Sequence, residues 1–157
     1  MKYYPAPQLK ISPAGLDFIA QHEGFVDHPY NDPAGYATIG YGHLLHRSRV
    51  TQKDLDRWGN ITKAEGKTLL IEDLNHAVQC VHGHVTVPIT QGMFDALVDF
   101  VYNAGCGNFK RSTLLKRLNQ KKYTEAAIEF GKWVYSNHRI LNGLVIRRAH
   151  ETTLFLS

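Results

Sequence analysis

One long helical pattern in the middle of the chain constrains the fold more than any other feature. "TKAE" at 62–65 is a capping box, with Thr62 as the N-cap and Glu65 at the third helical position. Apolar residues then recur every three or four positions: Leu70, Leu74, Ala77, Val78 and Val81. The pattern predicts a helix of about 20 residues, about 30 Å long. A helix of that length usually joins two lobes or lies at the centre of a core.

Other helices are predicted on both sides of this segment. "SPAGLDFIAQHEG" predicts a short helix with Ser12 as its cap and Gly24 at its end. "TQGMFDALVDFVYNAG" has Thr90 as its cap and ends at Gly105, and its apolar stripe is so wide that we expect it to be surrounded on most sides. Three shorter patterns predict three more helices: "STLLKRLN", capped by its serine, "YTEAAIEFGKW", with Thr124 as cap, and "NGLVIRRAHETTLFL".

The segment 25–46 is the part of the chain with strand character. Turn-forming residues in "YNDPAG" are followed by Tyr36, Thr38 and Ile39, which favour strands. The segment predicts one small β-hairpin region, which must pack on helices to be stable. We therefore expect an α+β protein, mostly helical, with its sheet near the N-terminus, and a length of 157 residues suits a single domain over 1–157.

Charge and hydropathy limit the classes of partner. The chain has 18 Lys and Arg against 14 Asp and Glu, for a formal net charge of +4. A basic excess suits an anionic polymer such as nucleic acid or bacterial cell wall, but no zinc-finger, RNP or long basic-helix pattern favours nucleic acid. No apolar run approaches the roughly 20 residues of a membrane span. The N-terminus, "MKYYPAPQLKISPAG", lacks the apolar core of a secretory signal. We expect neither nucleic acid binding nor stable membrane association.

The cysteines and histidines give little indication of a disulfide or a metal. Cys80 and Cys106 are too far apart for a CxxC motif, and two cysteines are too few for a disulfide scaffold. We therefore expect two reduced, partly buried thiols. His82 and His84, in "VHGHV", are accompanied by no HExxH motif and no clustered ligand set. The sequence predicts no metal site and no cofactor.

Three polar residues around the predicted hairpin have the chemistry of a glycoside hydrolase. Glu23 ends the first helix, where the helix dipole disfavours a carboxylate. Asp32 follows in the turn, and Thr38 lies beyond it. Glycoside hydrolysis needs one carboxylic acid to protonate the leaving oxygen and a second carboxylate on the other side of the sugar. The spacing alone is weak, since Asp32 before Pro33 is also explained as a turn residue.

The segments that hold these residues resemble the phage-type lysozymes, or endolysins, of glycoside hydrolase family 24. The family's Glu–Asp–Thr triad spacing is present in "HEGF" and "YNDPAGYATIGYGH". The resemblance continues through "ITKAEGKTLLIEDL", "ALVDFVYNAGCGNF", "STLLKRLN" and "GLVIRRAHETTLF", and so covers 12–157 in the family's order. It implies a two-lobed lysozyme fold, with a hairpin lobe at 12–62, a helical lobe at 84–157 and a linking helix at 62–83.

The resemblance also implies an activity and a site. The activity is hydrolysis of the β-1,4 bond between N-acetylmuramic acid and N-acetylglucosamine in peptidoglycan. Glu23 is expected to be the general acid, Asp32 the base that activates water, and Thr38 the residue that positions this water. A threonine beside the base is easier to explain as a residue that holds a water than as a spectator to direct attack by the carboxylate. We therefore expect inversion at the anomeric carbon. Contacts with the sugar are expected at three positions, although core or rim packing would also explain the first two: Leu44, Tyr102 and Asn103.

Supporting contacts are expected from the same resemblance. One of Arg147 and Arg148, with Arg147 favoured, should approach Glu23, and a surface cation explains the other equally well. His43 and Asp73 should pair structurally. Ala37, beside the catalytic threonine, is smaller than the residue that relatives often carry, which puts the local substrate contacts in doubt. Residues 1–11 match no part of the family pattern.

Several functions are compatible with these residues. The chain fits a monomeric endolysin that waits in the host cytoplasm and reaches the periplasm and cell wall through a holin-type pore. It also fits a toxin delivered by a secretion machine. A wall-binding module without catalysis would not need Glu23, Asp32 and Thr38 intact. A lytic transglycosylase or chitinase-type enzyme is a further alternative, but a transglycosylase can work with one acid, so Asp32 and Thr38 argue against it.

Overall fold

The computed structural model describes all of residues 1–157, in eight α-helices, a three-stranded sheet and a two-stranded sheet. The helices are α1 (Pro13–Glu23), α2 (Gln52–Trp58), α3 (Lys63–His84), α4 (Gln91–Ala104), α5 (Cys106–Lys110), α6 (Thr113–Asn119), α7 (Tyr123–Glu129) and α8 (Asn142–Leu156). The strands are β1 (Val26–Asn31), β2 (Ala37–Gly40), β3 (His43–His46), β4 (Tyr135–Ser136) and β5 (Arg139–Ile140). The predicted class is confirmed: the protein is mostly helical, with a small antiparallel sheet near the N-terminus.

The chain divides into two compact units. The sheet unit is Leu16–Asn75, and the helical unit combines Met1–Gly15 with His76–Ser157. Helices α1 and α3 each continue from one unit into the other. The long helix predicted after Thr62 is confirmed as α3, which has 22 residues. The predicted lobe boundaries and the single-domain assignment stay predictions.

The sheet unit holds three strands rather than the one hairpin that the sequence predicted. The order is β1–β2–β3 and all neighbours are antiparallel. The extra reversal, between β2 and β3, falls at Gly40 and Gly42, whose φ angles are +68° and +79°. Only glycine adopts such angles without a penalty, so two glycines two residues apart allow a second tight turn that was not predicted.

Close packing of α3 completes the sheet unit. A Cβ atom on Gly66 of α3 would lie 2.9 Å from the ring of Phe25 and 3.2 Å from that of Tyr41, so glycine lets the helix approach both rings.

Helix α2 was not predicted. Its signal is a capping box, in which Thr51 accepts a hydrogen bond from the Asp54 amide and the Asp54 side chain accepts one from the Thr51 amide.

Side-chain caps begin most of the predicted helices. Four predicted caps are confirmed because each accepts a backbone N–H from the first turn: Ser12, Thr62, Thr90 and Ser112. The prediction of Thr124 as a cap is wrong, since α7 already begins at Tyr123 and has no side-chain cap. Tyr123 is fixed by tertiary contacts instead: its hydroxyl donates to the Pro88 carbonyl at 2.7 Å, and its ring lies 5.5 Å from that of Tyr3.

Helix α4 forms the centre of the helical unit. Every residue from Met93 to Val101 is buried, which confirms that the helix is surrounded on most sides. The rings of Phe100 and Phe130 pack edge-on with their centroids 5.5 Å apart, and the centroids of Phe130 and Phe155 are 5.4 Å apart. The hairpin β4–β5 was not predicted, because strands of two residues are too short to show a periodicity.

The N-terminal segment, for which the sequence offered no assignment, packs within the helical unit. Tyr4 and Ile89 exchange two backbone hydrogen bonds, of 2.8 and 2.9 Å. The side chains of Ala6 and Leu9 are buried. His82 lies within hydrogen-bond distance of the Leu9 carbonyl, at 2.7 Å from Nε2. Ala6 and Leu9 therefore belong to the core of that unit.

The prediction of two reduced thiols is wrong. Cys80 and Cys106 form a disulfide, with their Cα atoms 6.0 Å apart. The chain turns back between α3 and α4, so the last turn of α3 comes close to the first residue of α5. A separation of 26 residues shows no such pairing in the sequence, because the contact depends on how the helices pack. None of the helices has the combined length and apolar character that a membrane span requires.

Candidate active site

Glu23 is the last residue of α1. Gly24 ends the helix with a φ of +74°, and its amide donates to the Ala20 carbonyl at 3.0 Å. The Glu23 carboxyl oxygen Oε2 lies 3.6 Å from the position that a Cβ would take on Gly42. The acid therefore lies against the turn between β2 and β3, within van der Waals contact of a side chain at position 42.

Asp32 is held by the main chain of its own turn. Its Oδ1 accepts hydrogen bonds from the amides of Ala34, at 2.9 Å, and Tyr36, at 2.8 Å. Its own amide donates to the Tyr36 carbonyl at 2.9 Å. The carboxylate does close a turn, as the simpler interpretation of the sequence held. The two bonds to Oδ1 also fix its direction and leave Oδ2 outside the hydrogen bonds of the turn.

Thr38 lies on β2 with only 4% of its surface exposed. Its hydroxyl donates to the Tyr36 carbonyl at 2.9 Å. A hydroxyl has one proton and two lone pairs, so Thr38 keeps the capacity to accept a hydrogen bond. Both Asp32 and Thr38 are thus positioned through the backbone of Tyr36.

The two strands that flank β2 bring further side chains beside Thr38. Tyr30 is its partner on β1 and Leu44 its partner on β3. Side chains of directly opposed residues lie on the same face of a sheet. Leu44 is 41% exposed on this face.

The structure adds Tyr30 to the candidate site. Burial raises the pKa of the Tyr30 phenol, and the nearby carboxylates of Asp32 and Glu23 raise that pKa further. The phenol is therefore within electrostatic reach of both acids and stays protonated. Tyr30 was not predicted from the sequence. The sequence does contain a clue, because Tyr30 lies near the end of a strand and two residues before Asp32, and alternate residues of an extended chain share a face.

Two of the expected substrate contacts lie in the other unit. Tyr102 and Asn103 are on the last turn of α4. Asn103 Oδ1 accepts a hydrogen bond from Arg148 Nη2, and the Asn103 amide N–H₂ takes no part in that bond. Asn103, Trp133 and Arg148 line a cavity of about 610 Å³ in the helical unit.

A buried network of arginines and acids holds Asn103. Arg147 donates to both carboxylate oxygens of Asp99, at 2.7 and 3.1 Å. Arg148 Nη1 donates to Glu151 at 2.5 and 2.8 Å, and its Nε donates to a main-chain carbonyl. Asp99 and Glu151 are fully buried, and Arg148 is 1% exposed. Both arginines are buried, so the interpretation of one as a surface cation is wrong.

Burial also determines the electrostatics of this network. It raises the pKa of the Glu151 carboxyl, and the neighbouring carboxylate of Asp99 raises that pKa further. Burial lowers the pKa of the Arg148 guanidinium. The sequence signal for the network is an acid among apolar residues, because Asp99 lies within the buried segment of α4.

The predicted pair of His43 and Asp73 is confirmed. His43 Nδ1 lies 3.0 and 3.1 Å from the two carboxylate oxygens of Asp73. The pair joins β3 to the middle of α3 within the sheet unit. The remaining assignments, namely the catalytic roles and the approach of an arginine to Glu23, stay predictions.

Comparison with known proteins provides the family. The model of the phage lysozyme family matches residues 20–151. The endolysin of Bacillus phage B103 is 40% identical over 154 residues, which cover 95% of this chain and 55% of that protein. The chain thus spans about half the length of the first curated relatives it matches.

Two solved structures extend the likeness to the fold. The muramidase domain of SpmX from Asticaccaulis excentricus is 36% identical, with 94% of this chain and 98% of that chain covered and a TM-score of 0.80. A lysozyme of phage P22 is 32% identical, with 95% and 99% covered and a TM-score of 0.82. The chain therefore belongs to the phage lysozyme family.

Proposed function

We propose that the chain is a muramidase, a glycoside hydrolase that cleaves the β-1,4 bond between N-acetylmuramic acid and N-acetylglucosamine in bacterial peptidoglycan. One observation carries the proposal: Asp32 and Thr38 are fixed by one strand–turn–strand segment, with the Glu23 carboxyl beside the next turn. Membership of the phage lysozyme family supports it. The formal net charge of +4 also suits an anionic wall polymer.

Glu23 is the general acid of this reaction. It protonates the glycosidic oxygen as the bond to the anomeric carbon breaks, which is worth about 100- to 10,000-fold in rate. Its position at a helix end that is fixed by Gly24 and backed by Gly42 keeps the carboxyl in one place. An acid that is held in place need not be ordered again during each turnover.

Asp32 and Thr38 hold and activate the water. Since the Thr38 proton is used on the Tyr36 carbonyl, its oxygen accepts a hydrogen bond from the water. The second water proton points to Asp32 Oδ2, which acts as the base. A water that donates both protons to the protein directs its lone pair at the anomeric carbon.

Tyr30 and the expected sugar contacts are the further groups of this proposal. Tyr30, whose phenol pKa is raised by burial and by the nearby acids, keeps its proton and can donate a hydrogen bond. Leu44 offers an apolar surface on the same sheet face, and Asn103 offers an amide donor at its cavity. Tyr102, beside Asn103, is the third expected contact with the sugar. The reaction needs no metal and no cofactor, because protein groups supply the acid and the base.

The test is the chemistry of the products. We expect hydrolysis with inversion, so the β-linked substrate should give the α-anomer first, as seen by proton NMR before mutarotation. Mass spectrometry of the released fragments should find reducing N-acetylmuramic acid ends. Anhydro-muramic ends would instead identify a transglycosylase, and an initial β-anomer would make Asp32 a nucleophile.

We also infer the setting of this activity. A monomeric endolysin would be made in the host cytoplasm and would reach the periplasm and wall through a holin-type pore, while a toxin would leave through a secretion machine. The names of the relatives, endolysins of several phages, support the first setting. Expression with and without a holin, followed by culture turbidity, tests it: lysis only with the holin is expected.

A further inference from the structure

Three side chains of types that bind metals lie together in the helical unit, and none of them takes part in the proposed reaction. The ligand atoms of Cys80, His84 and Cys106 all lie within 4.8 Å of one another. Cys80 and His84 are four residues apart on the last turn of α3, so they share a helix face. Cys106 is the first residue of α5. The group therefore brings two sulfur atoms and one imidazole to one point.

The dimensions of this group suit a tetrahedral ion. Zinc binds cysteine sulfur at about 2.3 Å and histidine nitrogen at about 2.0–2.1 Å, so neighbouring ligand atoms lie about 3.5–3.8 Å apart. The 4.8 Å limit on the three ligand atoms allows that spacing after small side-chain rotations. His84 and Cys106 are half-buried, and Cys80 is buried, so an ion reaches the site from one side.

His84 is already turned toward the sulfur. Its Nδ1 lies 3.9 Å from Cys80 Sγ and 2.8 Å from the Cys80 carbonyl oxygen. A cation at Nδ1 would take the place of the proton in the bond to that carbonyl. The carbonyl lies inside α3 and keeps the helical hydrogen bond of its turn.

We propose that, once the disulfide is reduced, Cys80, Cys106 and His84 bind one Zn²⁺ ion. A cellular dithiol reduces the bond: two electrons and two protons convert the disulfide to two thiols, and the dithiol becomes a disulfide. Zn²⁺ then binds the two thiolates and releases two protons, with water as the fourth ligand. Thiolates are soft ligands, which favours zinc over magnesium or calcium.

The same two helices would then be joined in either redox state. The disulfide joins the end of α3 to α5 in the oxidised chain, and the ion would join them in the reduced chain. This site is independent of the proposed muramidase activity, since it uses none of the residues of that reaction. Its tests therefore measure metal binding and stability rather than wall lysis.

The first experiment is a zinc titration against a chromogenic chelator. The full chain is reduced with a phosphine, the excess is removed without oxygen, and the oxidised chain is titrated beside it. We expect one Zn²⁺ per reduced chain, bound at least about 100-fold more tightly than by the oxidised chain, because thiolates are the ligands that zinc prefers. Cobalt in place of zinc should give the near-ultraviolet absorption of a cobalt–thiolate bond. Equal affinity in the two redox states would overturn the proposal.

Variants separate the site from other histidines and from misfolding. His84→Gln should weaken zinc binding by about 10-fold or more, because a ligand is lost. His76→Gln, an exposed histidine on the same helix, is the matched control and should change nothing. Zinc should raise the thermal midpoint of the reduced wild type and of His76→Gln, but not that of Cys80→Ser/Cys106→Ser. If His84→Gln bound zinc as the wild type does, or if the reduced chain lost its near-ultraviolet circular dichroism, the three-ligand site would not exist.

Discussion

The two units hold their polar residues in different ways. In the sheet unit, Asp32 is fixed by amides two and four residues further along the chain. In the helical unit, Asn103 is fixed by Arg148, which lies 45 residues away and is itself held by a buried acid. The first arrangement depends on local turn geometry and the second on the packing of α4 against α8. We therefore expect substitutions at the proposed catalytic residues of the sheet unit to lower activity with little change in stability. Substitutions in the network of the helical unit should lower stability.

The largest effect is expected from Glu23→Gln. The amide keeps the shape of the side chain but has no transferable proton, so wall lysis should fall by about 100- to 10,000-fold. The urea midpoint should not change. Glu72→Gln, an exposed acid on α3, is the matched control and should keep full activity. Near-normal lysis by Glu23→Gln would remove Glu23 as the acid.

The next effect concerns the two kinds of ion pair. Asp99→Asn leaves Arg147 buried beside a neutral partner, which should lower the free energy of unfolding by about 3–5 kcal/mol. Asp17→Asn breaks an exposed pair with Lys67, whose side chains are 57% and 37% exposed, and should be indistinguishable from the wild type. Urea unfolding measures both. Equal losses would erase the contrast between the units.

A third effect, which depends on pH, is expected from the titration of Glu151. Its pKa is raised from 4.5 to about 9 in the folded chain, so the folded state keeps a proton that the unfolded state releases above pH 4.5. The contribution of Glu151 to the free energy of unfolding is fully present below about pH 4.5 and is lost as the pH rises toward 9.

Glu151→Gln cannot titrate, so its stability relative to the wild type should grow between pH 5 and pH 9. The gain should rise steadily across this range of pH. Urea unfolding at several pH values gives the difference. A constant difference would mean that Glu151 is ionised and paired with Arg148 throughout that range.

The smallest effect is expected from the pair of His43 and Asp73. Each alanine substitution should lower stability, and the double variant should lose less than the sum by about 0.5 kcal/mol or more, because the side chains are in contact. A double-mutant cycle in urea measures the coupling. Additive losses would show that the contact contributes nothing.

Local signals in the sequence predicted much of the fold. Ser12, Thr62, Thr90 and Ser112 each cap a helix within three residues, so a short segment contains the whole interaction. Thr124 failed as a cap because Tyr123 is fixed by Pro88, 35 residues away. The third strand was missed because its turn depends on how glycines use positive φ, which residue type alone does not determine.

The candidate site follows the same division. Glu23, Asp32 and Thr38 were predicted from one stretch of 16 residues and a family resemblance, and the geometry of that stretch is local. The disulfide and the network of Asp99, Arg148 and Glu151 were not predicted, since their partners meet only when helices pack. An acid inside an apolar helical stripe is the signal that would have indicated the network.

The docking of the first residues into the helical unit has a consequence for synthesis on the ribosome. Residues 1–15 find partners such as Ile89 and Asp95, while the whole sheet unit lies between them in the chain. Ser12 precedes Asp95 by 83 residues. The ribosome adds roughly 5–20 residues per second, so Ser12 waits roughly 4–17 seconds before Asp95 is made. The sheet unit is complete in sequence before that wait ends. The part of the chain made first is thus among the last to reach its folded position.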